Sequence, residues 1–249
     1  MSARAFGLTD VGLRRENNQD QLLVDAERGV FAVADGMGGH AAGEVASHIA
    51  IEALADASEN EGFASAEMTA EEAGHKLQEA FIEGNRRICQ SVTTRGEWRG
   101  MGTTIVAMVN LGDRAVIGHV GDSRAYLLRD DRLVRLTNDH SWVSEQVRLG
   151  LLTEEEADRH PMRNIITRAL GNREDLDVDV AEQSVVPGDV FLLCSDGLNT
   201  MLTDDEIRQI LSGHASEPEE ACRALVDAAN ARGGEDNVTV VVLSGSNSN

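Results

Sequence analysis

A run of short apolar segments separated by tight turns occupies residues 101–136 and restricts the fold more than any other part of the chain. These segments are found at residues 103–109, 114–120, 124–128 and 133–136, with only three or four residues between neighbours. Connections of this length cannot contain a crossover helix, so consecutive strands must pair antiparallel. The sequence therefore predicts antiparallel sheets and disfavours a doubly wound parallel fold.

Amphipathic segments precede and follow these strands. Their apolar residues recur every three to four positions, which indicates helices with one buried face. They are predicted at about residues 43–57, 69–93, 204–212 and 218–231. In the first of these helices, the period places Val45, Ile49 and Ala53 on the buried face. Helices before and after antiparallel strands predict an α+β fold in which the helices lie outside the sheets.

The charge balance limits the partners of the chain. Its 22 Lys and Arg residues against 43 Asp and Glu residues give a net charge of −21. Such a charge disfavours nucleic acid and anionic membrane surfaces as partners. Lys76 is the only lysine, so neither a P-loop nor an obvious Schiff-base lysine is available.

The cysteines and the N-terminus bear on the compartment. Cys89, Cys194 and Cys222 are odd in number and lack C-x-x-C spacing, so neither a disulfide framework nor a zinc site is indicated. The first residues lack the apolar core of a signal peptide, and no apolar run is long enough to span a membrane. These features predict a cytoplasmic protein in a reducing compartment.

Five acidic residues occupy strand ends or glycine-containing turns. They are Asp20, Asp35, Asp122, Asp196 and Asp236. Each alone is an ordinary turn former. Asp35 and Asp196, however, follow strongly apolar runs and Asp236 precedes one, so neighbouring core strands would bring these carboxylates together at one sheet edge. Clustered carboxylates repel one another and a divalent cation relieves the repulsion; oxygen ligands without a Cys or His cluster favour Mg²⁺ or Mn²⁺ over Zn²⁺.

The segment after Asp35 is rich in glycine. The apolar run 30–34 ends at Asp35, and four glycines follow within the next eight positions. Glycine allows the backbone to approach a ligand closely, so main-chain carbonyls and the Asp35 carboxylate can converge on a small ion.

Seven short motifs follow one another along the chain. They are Arg-Glu-Asn-Asn-Gln-Asp at 15–20, Asp-Gly-Met-Gly-Gly at 35–39, Gly-Thr-Thr at 102–104, Gly-Asp-Ser-Arg at 121–124, Leu-Thr-Asn-Asp-His-Ser at 136–141, Cys-Ser-Asp-Gly-Leu at 194–198 and Glu-Asp-Asn-Val-Thr at 235–239. In this order and at this spacing, the chain resembles the metal-dependent type 2C protein phosphatases, and most of all their compact bacterial members. The resemblance covers about residues 5–243. It implies a four-layer α-β-β-α sandwich of two antiparallel sheets flanked by helices, with the metals in a cleft at one edge.

The resemblance also implies a role for each matching acidic residue. Asp35 would bridge two Mn²⁺ or Mg²⁺ ions and the Gly36 carbonyl would ligate one of them. Asp196 and Asp236 would complete the ligands of the second ion. Asp122 would ligate a possible third, weaker ion, and Asp20 would hold water bound to the metals.

Arg15 resembles the arginine that grips the substrate phosphate in this family, since a guanidinium presents a planar fork to two phosphate oxygens. The implied reaction is hydrolysis of phosphoserine and phosphothreonine in proteins by a metal-activated water, without a covalent enzyme intermediate. The implied partners are phosphorylated proteins, together with a bacterial Ser/Thr kinase whose signalling the enzyme reverses. Nucleic acid and membranes are not expected as partners, and the chain is expected to be a monomer.

Two alternatives stay open from the sequence. One is a phosphatase dedicated to a single regulatory partner protein. The other is a metal-binding regulatory module without turnover, against which the intact Asp35, Asp196 and Asp236 argue. Cys194 lacks the downstream Cys-x5-Arg pattern of cysteine phosphatases, and it is interpreted as a core residue.

Met37 is a departure from the family pattern. Many eukaryotic relatives carry a histidine there that is proposed as the general acid, and a thioether cannot donate a proton. Water on the third metal, or His40, is hypothesised to protonate the leaving alkoxide instead. His140 is interpreted as structural.

Residues 1–243 are predicted to form a single catalytic domain, and residues 244–249 a disordered tail. The insertion at residues 142–170 is predicted to be mostly helical, and it resembles the variable flap beside the cleft in bacterial members of the family. Its arginines, at positions 148, 159, 163 and 168, either meet acidic phosphopeptides or are solvated helix charges.

Overall fold

The protein is described by a computed structural model that covers residues 4–38, 42–61, 63, 68–94 and 98–245. Two antiparallel sheets form its centre. The first contains five strands in the order β1-β11-β10-β7-β8. These strands are β1 (Arg4–Asp10), β7 (Arg124–Arg129), β8 (Arg132–Arg135), β10 (Val190–Cys194) and β11 (Val238–Ser244).

The second sheet contains the order β2-β3-β5-β6-β9, with β4 paired to β3. Its strands are β2 (Asp20–Asp25), β3 (Val30–Met37), β4 (Gly102–Thr103), β5 (Ile105–Asn110), β6 (Arg114–Val120) and β9 (Asp179–Ser184). Every pairing in both sheets is antiparallel. The antiparallel arrangement predicted from the short turns is therefore confirmed.

The helices of the described residues are α1 (Ala42–Glu61), α2 (Ala70–Thr94), α3 (Trp142–Arg148), α4 (Glu154–Asp158), α5 (Asp196–Asn199), α6 (Asp204–Gly213) and α7 (Pro218–Ala231). Helices α1 and α2 cover the outer face of the second sheet and α6 and α7 that of the first, whereas α3 and α4 lie in the flap at residues 142–170. Leu54, Leu77 and Phe81 of α1 and α2 join the apolar core over the second sheet. Ile207 and Leu225 of α6 and α7 do the same over the first sheet.

A third apolar core lies between the two sheets. Alternate residues of the strands, such as Phe31, Met108, Phe191 and Val241, point into it. Because side chains alternate along a strand, each sheet buries one face here and the other under its helices. The predicted α+β fold with four layers, α-β-β-α, is confirmed.

The buried face of α1 differs from the prediction. Ala53 is buried as predicted, but Val45 and Ile49 are only partly buried against the core, whereas Ala46, Ala50 and Leu54 are buried. The helix is rotated by about one position because its small alanines allow it to pack closely on the sheet. The hydrophobic period predicted the helix correctly, but it placed larger side chains, and not the alanines, at the centre of the buried face.

The flap at residues 142–170 contains less helix than predicted. Only α3 and α4 are helical, and the described segment 159–170 consists of turns and isolated β-bridges. The bridges join Ser141 to Ile166 and Thr103 to Leu170, so both ends of the flap are fixed to the body of the protein.

At the C-terminus, Ser244 pairs with Arg4 and Val190 as the last residue of β11. The predicted disordered tail starts at this residue, and its positions 246–249 lie outside the described residues. None of the helices in the described parts of the chain is both long and apolar enough to cross a membrane.

Candidate metal centre

Asp20 and Asp35 face each other across the β2–β3 pair. The strand β3 was expected to stop at Asp35, but it continues to Met37 because Gly36 and Met37 pair with the short strand β4. The backbone of Asp35 is held by Thr104, whose N–H donates to Asp35 O at 2.9 Å and whose Oγ1 accepts from Asp35 N–H at 3.1 Å. The carboxylate of Asp35 is therefore presented from a rigid extended segment.

Gly36 has no room for a side chain. A Cβ atom at this position would lie 2.1 Å from Gly43 O and 2.6 Å from Gln19 O. The N–H of Gly36 also donates to Gln19 O at 3.1 Å. The absence of a side chain at Gly36 thus permits a close approach of three backbone segments beside Asp35.

Asp196 and Asp236 come from the ends of two neighbouring strands. Asp196 follows β10 and begins the short helix α5, which the sequence did not predict, and Asp236 lies two residues before the first residue of β11. The close contact of these two segments depends on Gly197, where a Cβ atom would lie 2.0 Å from Asn237 O.

Asp122 lies in the turn between β6 and β7, where Gly121 has a φ of +109°. On one side this turn is fixed by a hydrogen bond of 2.6 Å between Ser123 Oγ and Thr104 Oγ1. Thr104 therefore contacts the backbone of Asp35 and the turn of Asp122. Its importance was not anticipated, although it belongs to the Gly-Thr-Thr motif.

The five acidic residues lie close enough to one another for their charges to interact. The carboxylate of Asp35 interacts with those of Asp20, Asp196, Asp122 and Asp236. Burial raises the pKa of Asp20 to about 7 and that of Asp122 to about 8, and neighbouring carboxylates add to both shifts. Burial likewise raises the pKa of Asp35 well above its ordinary value and raises that of Asp196.

Two carboxylate oxygens in this site are buried without a hydrogen-bond partner among the described residues. They are Asp20 Oδ1 and Asp122 Oδ1. The other oxygen of Asp20, Oδ2, accepts from Ser195 Oγ at 2.7 Å, a contact that sequence reasoning missed. Buried oxygens with free lone pairs in a group of like charges are suited to a hard divalent cation.

Arg15 lies beside the carboxylates. Its Nη2 donates to Asp236 Oδ2 at 2.6 Å, and about half of its side chain, 52%, is exposed to solvent. The structure thus places all seven residues predicted for the site around one cleft: Arg15, Asp20, Asp35, Gly36, Asp122, Asp196 and Asp236.

One residue considered in the sequence analysis, Cys194, belongs to the core and has no part in the site. Cys194 is fully buried in β10, and burial raises the pKa of its thiol to about 12, as a core residue requires. His40, one hypothesised general acid, lies outside the described residues. Met37 ends β3.

A second group of ligand-type residues lies next to the Asp122 turn. The ligand atoms of His119, His140 and Asp179 are within 4.8 Å of one another. The N–H of Gly121, however, donates to His140 Nδ1 at 3.1 Å. A neutral imidazole that accepts at Nδ1 carries its proton at Nε2, the atom that faces Asp179, so His140 cannot ligate a metal there while this bond is present.

The flap arginines differ in their surroundings. Arg168 donates to Asp179 Oδ1 at 2.7 Å, and Arg159 pairs with Glu155 at 3.2 Å on the exposed face of α4. Arg148 lines a groove of about 230 Å³ between the flap and β8. Of the two alternatives left open by the sequence, Arg159 fits a solvated helix charge, since its pair with Glu155 is exposed, and Arg168 already has a carboxylate partner in Asp179.

Comparison with known proteins places the chain in a family. The model of the family described as Protein phosphatase 2C matches residues 2–238. The serine/threonine phosphatase stp of Listeria innocua is 40% identical over 238 residues, which cover 94% of this chain and 93% of the relative. The serine/threonine protein phosphatase PstP of Mycobacterium tuberculosis is 42% identical over 234 residues, which cover 94% of this chain and 43% of that protein.

Solved structures agree with these relatives. The crystal structure of the Mycobacterium tuberculosis serine/threonine phosphatase PstP/Ppp superposes with a TM-score of 0.89 at 39% identity, covering 98% of this chain and 99% of that one. The catalytic domain of PstP in complex with two manganese ions gives a TM-score of 0.85 at 38% identity and covers 97% of both chains. The fold and the carboxylate cleft define a phosphatase of the metal-dependent class. The chain belongs to the protein phosphatase 2C family.

Proposed function

We propose that this protein hydrolyses phosphoserine and phosphothreonine in other proteins with the help of Mn²⁺ or Mg²⁺. The observation that carries the proposal is the convergence of five carboxylates, two of which have buried oxygens without partners, beside a half-exposed arginine. The relatives named as serine/threonine phosphatases support the same activity.

The donor set fits the proposed cations. All side-chain donors are carboxylate oxygens, which suit Mg²⁺ and Mn²⁺. Burial is the main cause of the raised pKa values of Asp20, Asp35, Asp122 and Asp196, and neighbouring carboxylates add to it, so bound cations would stabilise the charged forms of these groups. A structure of the related PstP contains two manganese ions, which supports manganese in this protein.

The proposed roles follow from position. Asp35 and the Gly36 carbonyl, with Asp196 and Asp236, would hold two core ions, and Asp122 a third. Bound there, the cations supply Lewis acidity toward water and phosphate. Asp20, fixed by Ser195, would orient the attacking water by accepting a hydrogen bond from it.

Arg15 would bind the phosphoryl group of the substrate. Its guanidinium is at the edge of the cleft and exposes about half of its surface, so it can offer donors to phosphate oxygens. In the structure, the Nη2 donor of this guanidinium is directed at Asp236. The same side chain can thus bind either a carboxylate or a phosphate.

The finer aspects of function are also proposals. Phosphoserine and phosphothreonine arise through protein kinases, so the protein would act in signalling and oppose a Ser/Thr kinase. Free buried Cys194 and Cys222 suit a reducing cytoplasm. Because one chain supplies every residue of the cleft, a monomer would be sufficient for activity.

The activity is tested with p-nitrophenyl phosphate and a phosphothreonine peptide in the presence of Mn²⁺. We expect release of phosphate that a chelator abolishes. Asp35→Asn should lower the rate by about 1,000-fold or more while circular dichroism stays unchanged, because it removes the central anionic ligand. Asp227→Asn, an exposed change on α7, is the matched control. An Asp35→Asn protein with normal turnover would contradict the proposal.

A further inference from the structure

The backbone of the Asp122 turn is held by one residue from another part of the chain. The N–H of His140 donates to Gly121 O at 2.9 Å, and the N–H of Gly121 donates to His140 Nδ1 at 3.1 Å. Both polar backbone groups of Gly121 are therefore bonded to His140. Gly121 directly precedes Asp122, so these two bonds fix the direction in which the turn presents its carboxylate.

The imidazole of His140 is itself constrained. It stacks on the ring of His119, with 4.6 Å between ring centroids and 21° between planes. His119 Nε2 lies 2.8 Å from Asn138 O, which fixes the ring of His119 in turn. His140 is only 4% exposed, so its ring has little freedom to leave Gly121.

Two further sets of hydrogen bonds anchor His140, one through its sequence neighbour Asp139 and one through its own carbonyl group. Asp139 accepts three hydrogen bonds from Arg124, the shortest at 2.6 Å, and Thr167 N–H donates to His140 O at 2.8 Å. Arg124 begins the strand that follows the Asp122 turn, whereas Thr167 lies at the end of the flap. His140 thus joins the turn, the sheet and the flap at one point.

The tautomer of the ring is fixed by the same contacts. A backbone N–H can only donate, so Nδ1 of His140 must accept and the neutral ring must carry its proton at Nε2. Nε2 is buried and lies 3.3 Å from Asp179 Oδ2, without the alignment of a full hydrogen bond. The ring therefore serves as an acceptor for Gly121 and not as a proton donor to the cleft.

We propose that His140, as the neutral Nε2–H tautomer, is a positioning residue that holds the Gly121–Asp122–Ser123 turn and thereby sets the affinity of the cation bound at Asp122. This inference rests on the role proposed above for Asp122. It assigns to His140 of the Asp-His-Ser motif a specific role that the sequence alone did not indicate. It also explains why a histidine next to a carboxylate cleft is kept away from the reacting groups.

Variants that differ in the position of the acceptor test the proposal. In His140→Asn, Oδ1 takes the place of Nδ1 and can accept from Gly121, whereas His140→Gln moves the amide group one atom further out. Both lose the ring stack, so the difference between them isolates the acceptor. His160→Gln is the matched control, because His160 Nδ1 accepts from Met162 N–H within the flap, away from the turn.

Mn²⁺ binding, followed by calorimetry and by the electron paramagnetic resonance of free Mn²⁺, is the readout. We expect His140→Gln to weaken the weakest class of Mn²⁺ sites by about 10- to 100-fold, and to leave the tighter classes unchanged. His140→Asn and His160→Gln should bind near the wild-type level. Equal binding by the Asn and Gln variants would overturn the proposal.

Two further measurements separate failure of this inference from failure of the proposed function. If Asp122→Asn leaves the weakest Mn²⁺ class unchanged, the role of Asp122 is wrong; if it removes that class but His140→Gln does not weaken it, only the inference about His140 fails. Long-range ¹H–¹⁵N spectra of histidine rings in the chelated wild type test the tautomer without any variant. A proton on Nδ1 at pH 7 would overturn the proposal even if the variants fail to fold.

Discussion

The acidic residues of the cleft lie where burial and mutual repulsion oppose their charged forms. Asp20 is 2% exposed, and its pKa rises to about 7, while that of Asp122 rises to about 8. An ordinary Asp in an unfolded chain titrates near 3.9. In the absence of cations, the folded protein therefore binds protons at these residues at a pH where the unfolded chain has already released them.

When a chelator has removed the cations, the stability of the protein should accordingly fall as pH rises. Between about pH 4 and pH 8 the folded state holds more protons at Asp20 and Asp122 than the unfolded state, so the free energy of unfolding decreases with pH and is lowest above pH 8. We expect the melting temperature with chelator to be about 5 °C higher at pH 6 than at pH 8. Differential scanning calorimetry measures it.

His140 works in the opposite direction. Burial lowers its pKa to about 4, so its contribution to stability is complete above pH 6.5 and is lost as pH falls toward 4. Most of this loss of stability occurs below pH 6, so it contributes little to the comparison between pH 6 and pH 8. Asp122→Asn should reduce the pH slope, and saturating Mn²⁺ should raise the melting temperature more at pH 8 than at pH 6. If the melting temperature depended on pH in the same way with and without the Asp122 carboxylate, the raised pKa of Asp122 would be contradicted.

Among the elements of the fold, the flap is the one whose tip is least tied to the sheets. Its base is fixed by the bridges of Ser141 with Ile166 and of Thr103 with Leu170, whereas Leu149 and Leu151 near its tip are each 67% exposed. Exposed apolar side chains of this kind are suited to contact with a protein substrate. The carboxylates Asp20, Asp35, Asp196 and Asp236 belong to other elements, in or next to β2, β3, β10 and β11.

Replacing residues 150–163 with a short Gly-Ser linker should therefore separate two kinds of substrate. The rate on p-nitrophenyl phosphate should stay within about threefold of wild type, and kcat/KM on a phosphoprotein should fall about tenfold or more, because only the protein loses contacts with the flap. Parallel kinetics on the two substrates measure this. Equal losses on both would show that the flap supports the cleft and not the substrate. Leu149→Ser with Leu151→Ser is the milder companion variant.

At the scale of the whole molecule, net charge is the dominant feature. A charge of −21 surrounds a cleft that must accept a phosphorylated, negatively charged substrate. With Arg159 and Arg168 already paired to carboxylates, the flap offers little compensation. The long-range field should therefore favour substrates whose phosphorylated residue lies among basic residues.

This preference should depend on salt. Two peptides with the same phosphothreonine, one flanked by lysines and one by glutamates, should differ in kcat/KM by about tenfold at low ionic strength, and the difference should shrink as KCl is raised to 0.2 M. Initial rates at several KCl concentrations provide the measurement. A preference for the acidic peptide, or a ratio insensitive to salt, would show that local contacts outweigh the overall field.

What the sequence determined by itself was local. Turn lengths of three or four residues required antiparallel pairing, and glycine-flanked aspartates at the ends of apolar runs marked the residues of the cleft. These signals lie within about ten residues, where backbone geometry and hydrophobic period act directly. Resemblance to a family added the role expected of each aspartate.

The tertiary structure decided how distant parts of the chain meet. It showed that Ser195 fixes Asp20, 175 residues away in sequence, that Arg168 is neutralised by Asp179 and that His140 holds the Asp122 turn. It also decided which face of α1 is buried. Such contacts depend on sheet register and close packing, which no single stretch of sequence specifies, because each is set by the shape of everything that surrounds it.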